Sequence, residues 1–176
     1  MARYLVAGVA GFIAARVSSM LLEDGHTVVG VDNLNDAYDV RMKHHRLEML
    51  QTLKGFTFRQ LDIADKEAVQ GLANHAPFDG IINLAARAGV RTSVENPWVY
   101  VDTNVTGALN LLELAKDTGC KKYVYASTSS IYGADAPLPT PESADSSRPL
   151  QPYAASKKGG EALCHAYHFL HDIDVT

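Results

Sequence analysis

Cysteine is scarce in this chain of 176 residues, which contains only Cys120 and Cys164. The two do not form a Cys-x-x-Cys pair, so nothing in the sequence favours a disulfide framework or a zinc site of the usual spacing. His165, His168 and His171 could share a helix side, but we interpret them as surface and packing residues near a helix end. We therefore predict no metal site, and we expect free thiols in a reducing cytoplasm.

The chain also has little excess charge, with 16 Lys and Arg against 20 Asp and Glu. It has no basic stripe with interleaved aromatic residues, so we predict no nucleic-acid partner. A short basic stretch at residues 41–46 lies in a helical pattern, and we interpret it as a solvated helix face rather than a phosphate groove. No apolar run is long enough to span a bilayer, and we predict no membrane partner.

Strand and helix patterns alternate regularly along the chain. Strands are predicted at residues 3–7, 27–31, 56–60, 80–84 and 122–126, with another beginning at 175. Helices are predicted at 11–23, 39–53, 66–74, 96–118 and 153–170, and in the second of these Val40, Leu47 and Leu50 are expected to face the core. This alternation predicts an α/β fold, a doubly wound parallel sheet of the Rossmann type, over residues 1–176.

Two glycines follow the first predicted strand at the start of a helix. Gly8 permits a tight turn, and Gly11 allows the backbone to approach a pyrophosphate. The helix that follows would present amide hydrogens and partial positive charge to the phosphates. A plain strand-to-helix connection is an equally good interpretation of these glycines alone.

Asp32 ends the second predicted strand, where a carboxylate can accept hydrogen bonds from both ribose hydroxyls of a dinucleotide. The same carboxylate would repel a 2′-phosphate, so the sequence favours NAD over NADP. A turn or capping role before Asn33 is the alternative for this residue.

Tyr153 and Lys157 lie four residues apart in a predicted helix and so share a face. The pKa of a free tyrosine, about 10, is too high for a base at neutral pH, whereas a nearby ammonium group favours the phenolate. We therefore predict that Tyr153 is a general base, the alternative being an ordinary surface pair. Upstream, the hydroxyl cluster at residues 127–130 could bond a substrate oxygen or only its own backbone.

In parallel sheets ligands bind outside the carboxyl ends of the strands. The glycine turn, Asp32, Asp62, the segment 84–89 and the hydroxyl cluster all follow predicted strands. We therefore expect them on one rim of the sheet, and this convergence is stronger support for a dinucleotide site than any single motif.

With these motifs in this order, the chain resembles the extended short-chain dehydrogenase/reductase family, and specifically its NAD-dependent nucleotide-sugar epimerases. The resemblance covers nearly all 176 residues. Within the family, segments 31–41 and 85–97 are most similar to UDP-glucuronate 4-epimerases. Family members carry a further, mostly C-terminal region that clamps the substrate, so the resemblance implies a Rossmann domain that is C-terminally incomplete, truncated before the substrate domain.

The resemblance implies a role for each matching residue. Cofactor-binding roles fall on Gly8, Gly11, Phe12 and Ile13 at the pyrophosphate, on Asp32 with Asn33 or Asn35 at the adenosine ribose, on Asp62 and Ile63 at the adenine, on Leu84, Ala85 and Ala86 along the cofactor, and on Asn104, Tyr153 and Lys157. Thr128 would be catalytic together with Tyr153 and Lys157. Ser129, Ser130 and Arg91 are candidates for substrate contacts, with helix packing or a salt bridge as the alternative for Arg91.

The reaction implied is epimerisation at C4 of a UDP-sugar, from UDP-glucuronate to UDP-galacturonate through a 4-keto intermediate, in a homodimer. Tyr153 would take the proton of the 4-hydroxyl while hydride passes to NAD and then returns to the other face of the sugar. Another nucleotide-sugar epimerase, a dehydratase or a decarboxylase stays open, as does an NAD-binding fragment without turnover. Dehydratases typically have Asp-Glu after the catalytic Thr, so Ser129 and Ser130 argue against dehydration.

Overall fold

A six-stranded parallel sheet forms the centre of the molecule in the computed structural model, which describes all 176 residues. The strands are β1 Arg3–Ala7, β2 Thr27–Asp32, β3 Phe56–Gln60, β4 Gly80–Asn83, β5 Lys122–Tyr125 and β6 Asp174–Val175. Their order in the sheet is β3-β2-β1-β4-β5-β6, and every neighbouring pair is parallel. This is the strand order of doubly wound dinucleotide folds, and it confirms the predicted fold class.

Seven α-helices flank the sheet. They are α1 Phe12–Glu23, α2 Val40–Gln51, α3 Lys66–Gln70, α4 Val90–Glu95, α5 Trp98–Val101, α6 Gly107–Thr118 and α7 Pro152–His171. A π-helical turn, Asp102–Thr106, joins α5 to α6, so the single helix predicted over 96–118 is interrupted, and α4 was not predicted. None of the helices combines the length and apolar character needed to cross a lipid bilayer.

Each face of the sheet has its own hydrophobic core. In β1, the fully buried Leu5 and Ala7 join the core that α6 covers, while Val6 joins the core that α1 covers. This alternation is the two-residue period of a strand that is buried on both faces. Because each buried aliphatic side chain contributes about 1.5 to 3 kcal/mol, these central strands hold the loops at their carboxyl ends in place.

The buried side of α2 differs from the predicted one. Leu47 and Leu50 are buried as expected, but the third buried position is Lys43, and Val40 is only half-buried. The interpretation of residues 41–46 as a solvated face is therefore wrong at Lys43. The physical reason is the helical repeat, which places position 43 in line with 47 and 50 on the side that faces the sheet.

Candidate active site

An open cleft lies at the carboxyl ends of β1, β2 and β4. It encloses about 750 Å³ of empty space, part of it continuous with solvent. Its lining includes most of the residues predicted to bind a cofactor, namely Gly8, Gly11, Asp32, Asn33, Asn35, Asp62, Ile63, Leu84, Ala85 and Ala86. Most of the rim expected from the sequence therefore lies on one surface, whereas the hydroxyl cluster at residues 127–130 is outside this lining.

The turn after β1 has the geometry of an anion-binding site. Gly8 has φ +79°, and a Cβ on it would lie 2.8 Å from the backbone N and Cα of Ala85. The Gly11 amide donates to the Gly8 carbonyl at 2.8 Å, and no side chain caps the start of α1 at Gly11. Amides in the first turn of a helix have no intrahelical acceptor, so they are free to bind phosphate oxygens.

Phe12 and Ile13 form the exposed first turn of α1, with 80% and 62% of their surfaces accessible. The guanidinium of Arg46 lies 5.8 Å from the centre of the Phe12 ring. The same arginine donates to the Ala10 carbonyl at 3.3 Å and so braces the glycine turn from α2. Arg46 of α2 thus contacts both the glycine turn and the first residue of α1.

Asp32 is buried at the end of β2 and accepts three hydrogen bonds. Its Oδ2 accepts from the Ala10 amide at 3.2 Å, and its Oδ1 accepts from the Leu34 amide at 2.8 Å. Its Oδ1 also accepts from Nζ of Lys43 at 3.2 Å, in a salt bridge whose two side chains are each only 7% exposed. Sequence reasoning missed Lys43, although its phase with Leu47 and Leu50 could have revealed it.

Asn33 is hydrogen-bonded to both Asp62 and Asn35 in the lining of the cleft. Asn33 donates through Nδ2 to Oδ2 of Asp62 at 2.8 Å, and its Oδ1 accepts from the Asn35 amide at 3.1 Å. Asp62 also accepts from the Ala64 amide at 2.9 Å. The side chain of Ile63, in contrast, is buried in the core below the cleft. Asn33 thus links the loops after β2 and β3.

The predicted base and its lysine lie in the first turns of α7. Lys157 is 2% exposed, and its Nζ lies 4.5 Å from the centre of the Tyr125 ring. Burial lowers the pKa of Lys157 to about 8. Tyr153 is half-buried and packs edge-to-face against Tyr100, with 6.2 Å between ring centres. Neither Tyr125 nor Tyr100 was expected from the sequence.

Asn104 joins the start of α7 to the cleft. It is buried within the π-helical turn, and its Oδ1 accepts from the Arg87 amide at 2.9 Å. Its Nδ2 donates to the Arg87 carbonyl at 3.0 Å and to Oγ of Ser156 at 2.9 Å. Arg87 follows Ala86 of the cleft lining, and Ser156 precedes Lys157. Asn104 therefore connects the cleft lining to the segment of α7 that carries Lys157. Its predicted contact with a cofactor stays a prediction.

Thr128 begins a 3₁₀ turn, Ser129–Tyr132, that packs against α7. Its hydroxyl accepts from the Ser130 amide at 3.2 Å and donates to Ser130 Oγ at 3.3 Å, which is the local bonding given as the alternative for this cluster. Ser129 is exposed and Ser130 half-buried. Arg91 lies exposed on α4, which packs against α7, and its side chain forms no salt bridge.

These residues fit a dinucleotide. The glycine turn leaves no room for a Cβ at Gly8 and presents free amides, which suits a pyrophosphate. A buried carboxylate at one end suits ribose hydroxyls, and a phenol with a buried ammonium at the other suits proton transfer beside a redox ring. No group of three or more His, Cys, Asp or Glu side chains is close enough to hold a metal ion.

Comparison with known proteins agrees with this assignment. The pattern of the NAD dependent epimerase/dehydratase family matches residues 4–176. The UDP-glucuronate 4-epimerase of Thermodesulfobacterium geofontis is 54% identical over 176 residues, which are 100% of this chain and 54% of that protein. This chain thus spans about half the length of the relatives it matches.

Two solved structures have the same fold. The UDP-glucuronic acid 4-epimerase of Bacillus cereus, in complex with UDP-glucuronic acid and NAD, superimposes with a TM-score of 0.89 at 32% identity and covers 99% of this chain and 55% of its own. The UDP-glucose 4-epimerase of Thermus thermophilus, in complex with NAD, has a TM-score of 0.80 at 33% identity and covers 98% of this chain and 53% of its own.

Proposed function

Because the chain belongs to the NAD dependent epimerase/dehydratase family, we propose that this protein epimerises UDP-glucuronate to UDP-galacturonate at C4 with NAD as its cofactor. The observation that carries the proposal is the geometry of the rim, where the Asp32 carboxylate lies in the cleft and the Tyr153–Lys157 pair is tied to the same cleft through Asn104. The identity of 54% with a UDP-glucuronate 4-epimerase supports the choice of sugar.

When bound, NAD supplies a reversible hydride acceptor for C4 of the sugar. The glycine turn and the start of α1 bind its pyrophosphate, and Asp32 orients the adenosine ribose. Lys157 donates to the nicotinamide ribose and stabilises the phenolate of Tyr153 through its positive charge. With the pKa of Lys157 lowered to about 8, the ammonium form still predominates at neutral pH.

Tyr153 removes the proton of the sugar 4-hydroxyl as C4 is oxidised to a ketone, and Thr128 donates a hydrogen bond to the same oxygen. To do so the Thr128 hydroxyl exchanges its bond with Ser130 Oγ, 3.3 Å long, for one to the sugar. Turning the 4-keto sugar exposes its other face, and the proton on Tyr153 returns to the oxygen as C4 is reduced. The stereochemistry at C4 is inverted without net oxidation.

We assign the substrate contacts to Ser129, Ser130 and Arg91. Ser129 and Arg91 are exposed on elements that flank α7, where an anionic sugar would lie. The guanidinium of Arg91 has no carboxylate partner in the protein, which leaves it free for the sugar carboxylate. Epimerisation of another UDP-sugar is the second candidate, since the Thermus thermophilus relative is a UDP-glucose 4-epimerase.

We also propose that the protein forms a homodimer and works in the cytoplasm. Trp98 and Val101 of α5 and Val94 of α4 are 76%, 44% and 66% exposed, and such apolar patches commonly mark protein interfaces. Leu112 of α6 is fully buried, and Leu163 and Tyr167 of α7 pack against the core. Both cysteines are free and buried, which suits a reducing compartment.

Calorimetric titration with NAD and a turnover assay on UDP-glucuronate test the proposed reaction. The unmodified chain should bind NAD and release UDP-galacturonate, while Tyr153→Phe should bind NAD with similar affinity and lose turnover about a thousandfold, which is within the usual contribution of a general base of about 10² to 10⁴. Near-normal turnover by Tyr153→Phe would refute the assigned base. Binding without turnover in the unmodified chain would identify an NAD-binding module, and conversion of UDP-glucose alone would identify another epimerase.

A further inference from the structure

The ammonium group of Lys43 is buried against the carboxylate of Asp32. Its Nζ lies 3.2 Å from Oδ1 of Asp32, 3.1 Å from Oδ1 of Asn35 and 5.4 Å from the centre of the Tyr38 ring. Lys43 is 5% exposed as a residue and lines the cleft together with these three partners. A positive charge therefore lies beside the carboxylate assigned to the adenosine ribose.

The hydrogen bonds of this pair leave one donor and one acceptor free. An ammonium group has three N–H donors, and those of Lys43 reach only Asp32 and Asn35 within the protein. The Asp32 Oδ1 already accepts two bonds, whereas Oδ2 accepts only one, from Ala10. The free lone pair on Oδ2 and the free proton on Lys43 are one acceptor and one donor available to the hydroxyls of a ribose.

We propose that Lys43 determines the cofactor selectivity of this cleft. Paired with Asp32 it holds the carboxylate for the ribose of NAD, and freed from Asp32 it is the binding cation for the 2′-phosphate of NADP. This proposal rests on NAD binding as proposed above. Asp32 then excludes NADP in two ways, by repelling the phosphate and by occupying the lysine that would bind it.

The surroundings of Lys43 strengthen the positive potential that Asp32 offsets. Arg46, one turn further along α2, places its guanidinium 5.8 Å from the centre of the Tyr38 ring and donates to the Tyr38 hydroxyl at 3.1 Å. Tyr38 thus lies between two cations, and Asp32 is the carboxylate salt-bridged to the buried one. Removing the charge of Asp32 leaves the Lys43 ammonium without its carboxylate partner, which favours a phosphate beside it.

Calorimetry tests this proposal. The dissociation constants of NAD and NADP are measured on five forms of the 176-residue chain. The forms are the unmodified chain, Lys43→Gln, Asp32→Asn, the double variant Asp32→Asn/Lys43→Gln, and Lys54→Gln, in which the exposed Lys54 outside the cleft undergoes the same change. Circular dichroism establishes that each form is folded. If Lys43→Gln does not fold, Lys43→Arg and Asp32→Asn/Lys43→Arg replace the glutamine forms. Asp32→Asn/Lys43→Arg should then keep the NADP affinity of Asp32→Asn, because the positive charge is retained.

The unmodified chain and Lys54→Gln should prefer NAD. Lys43→Gln should weaken NAD binding about tenfold, as expected for loss of one charge-assisted hydrogen bond. Asp32→Asn should gain about tenfold or more in NADP affinity, and the double variant should lose that gain. Equal NADP affinity of Asp32→Asn with and without Lys43, or unchanged NAD affinity of Lys43→Gln, would overturn the proposal while leaving NAD binding intact. Failure of the unmodified chain to bind NAD would overturn both proposals.

Discussion

The ammonium group of Lys157 is almost completely buried, with the Tyr125 ring 4.5 Å from its Nζ. Loss of hydration disfavours the charged form, and this lowers the pKa of Lys157 from 10.5 to about 8. The aromatic face offsets part of that cost by attracting the cation. The fold thus carries an unfavourable charge at the place where the proposed chemistry needs one.

This burial gives the stability of the protein a specific pH dependence. Below pH 8 the lysine is protonated in both the folded and the unfolded chain, so the full cost of burial is present. Between about pH 8 and 10.5 the folded chain loses its proton first, so the free energy of unfolding should rise by up to about 1.4 kcal/mol per pH unit from this group.

Urea unfolding of the unmodified chain and of Lys157→Met across pH 7 to 10.5 isolates this contribution. The stability advantage of Lys157→Met should be greatest below pH 8 and should shrink as the pH rises, because groups common to both proteins cancel in the difference. Parallel stability curves for the two proteins would contradict the assignment of a depressed pKa to Lys157.

The turn between β1 and α1 depends on two properties of Gly8 that can be separated. Gly8 has φ +79° and lies against the Ala85 backbone, while Gly25, after α1, has φ +81° and open space around its Cα. Gly25→Ala should lower the free energy of unfolding by about 1 to 2 kcal/mol, because alanine is strained in the left-handed backbone conformation. Gly8→Ala should lower the free energy of unfolding by about 1 to 3 kcal/mol more, because its methyl group would overlap with the Ala85 backbone. Equal losses of stability for the two variants in urea unfolding would mean that the loop after β4 moves to make room for the methyl group at little cost.

Asn104 connects the loop after β4 to α7 from within the π-helical turn. Asn104→Ala would leave the half-buried amide and carbonyl of Arg87 without their side-chain partner, at a cost of about 1 to 3 kcal/mol. Asn74→Ala, at an exposed position of the 3₁₀ turn after α3, is the matched control and should change stability by less than about 0.5 kcal/mol. Similar losses for both variants in urea unfolding would show that Asn104 does not brace the loop.

The sequence predicted the sheet well and the helices less well. Strands 3–7 and 56–60 coincide with β1 and β3, because short runs rich in apolar and β-branched residues between turn residues have few other solutions. Asp65 caps the start of α3, since its side chain accepts from the Ala68 amide at 3.0 Å. The π-helical turn was missed because the apolar spacing of residues 96–118 is that of an uninterrupted helix and no local pattern marks the turn.

The candidate site was predictable where a motif carries its own geometry. The glycine turn and Asp32 follow strands, so their meeting at one cleft follows from the parallel sheet. The helical phase of Lys43 with Leu47 and Leu50 indicates a buried position, but its salt bridge was not predictable, because the carboxylate that it pairs with ends a different element, β2. The same holds for the Tyr125 ring against Lys157, which joins β5 to α7.

At the level of the whole molecule, the exposed apolar surface of α4 and α5 should be covered by a second copy of the chain. Light scattering after gel filtration should give about twice the chain mass of 19.1 kDa for the unmodified protein. Trp98→Glu should shift the population to monomer, because it places a charge in the middle of that surface. A monomeric unmodified chain, or a dimer unaffected by Trp98→Glu, would contradict the proposed interface.

A crystal structure of the chain with NAD tests the central claim most directly. We expect the adenosine ribose on the Asp32 carboxylate, the pyrophosphate at the start of α1, and the nicotinamide ribose within hydrogen-bonding distance of Lys157, with the Tyr153 hydroxyl facing the reactive carbon of the ring. A dinucleotide bound elsewhere, or one whose nicotinamide lies far from Tyr153, would contradict the account.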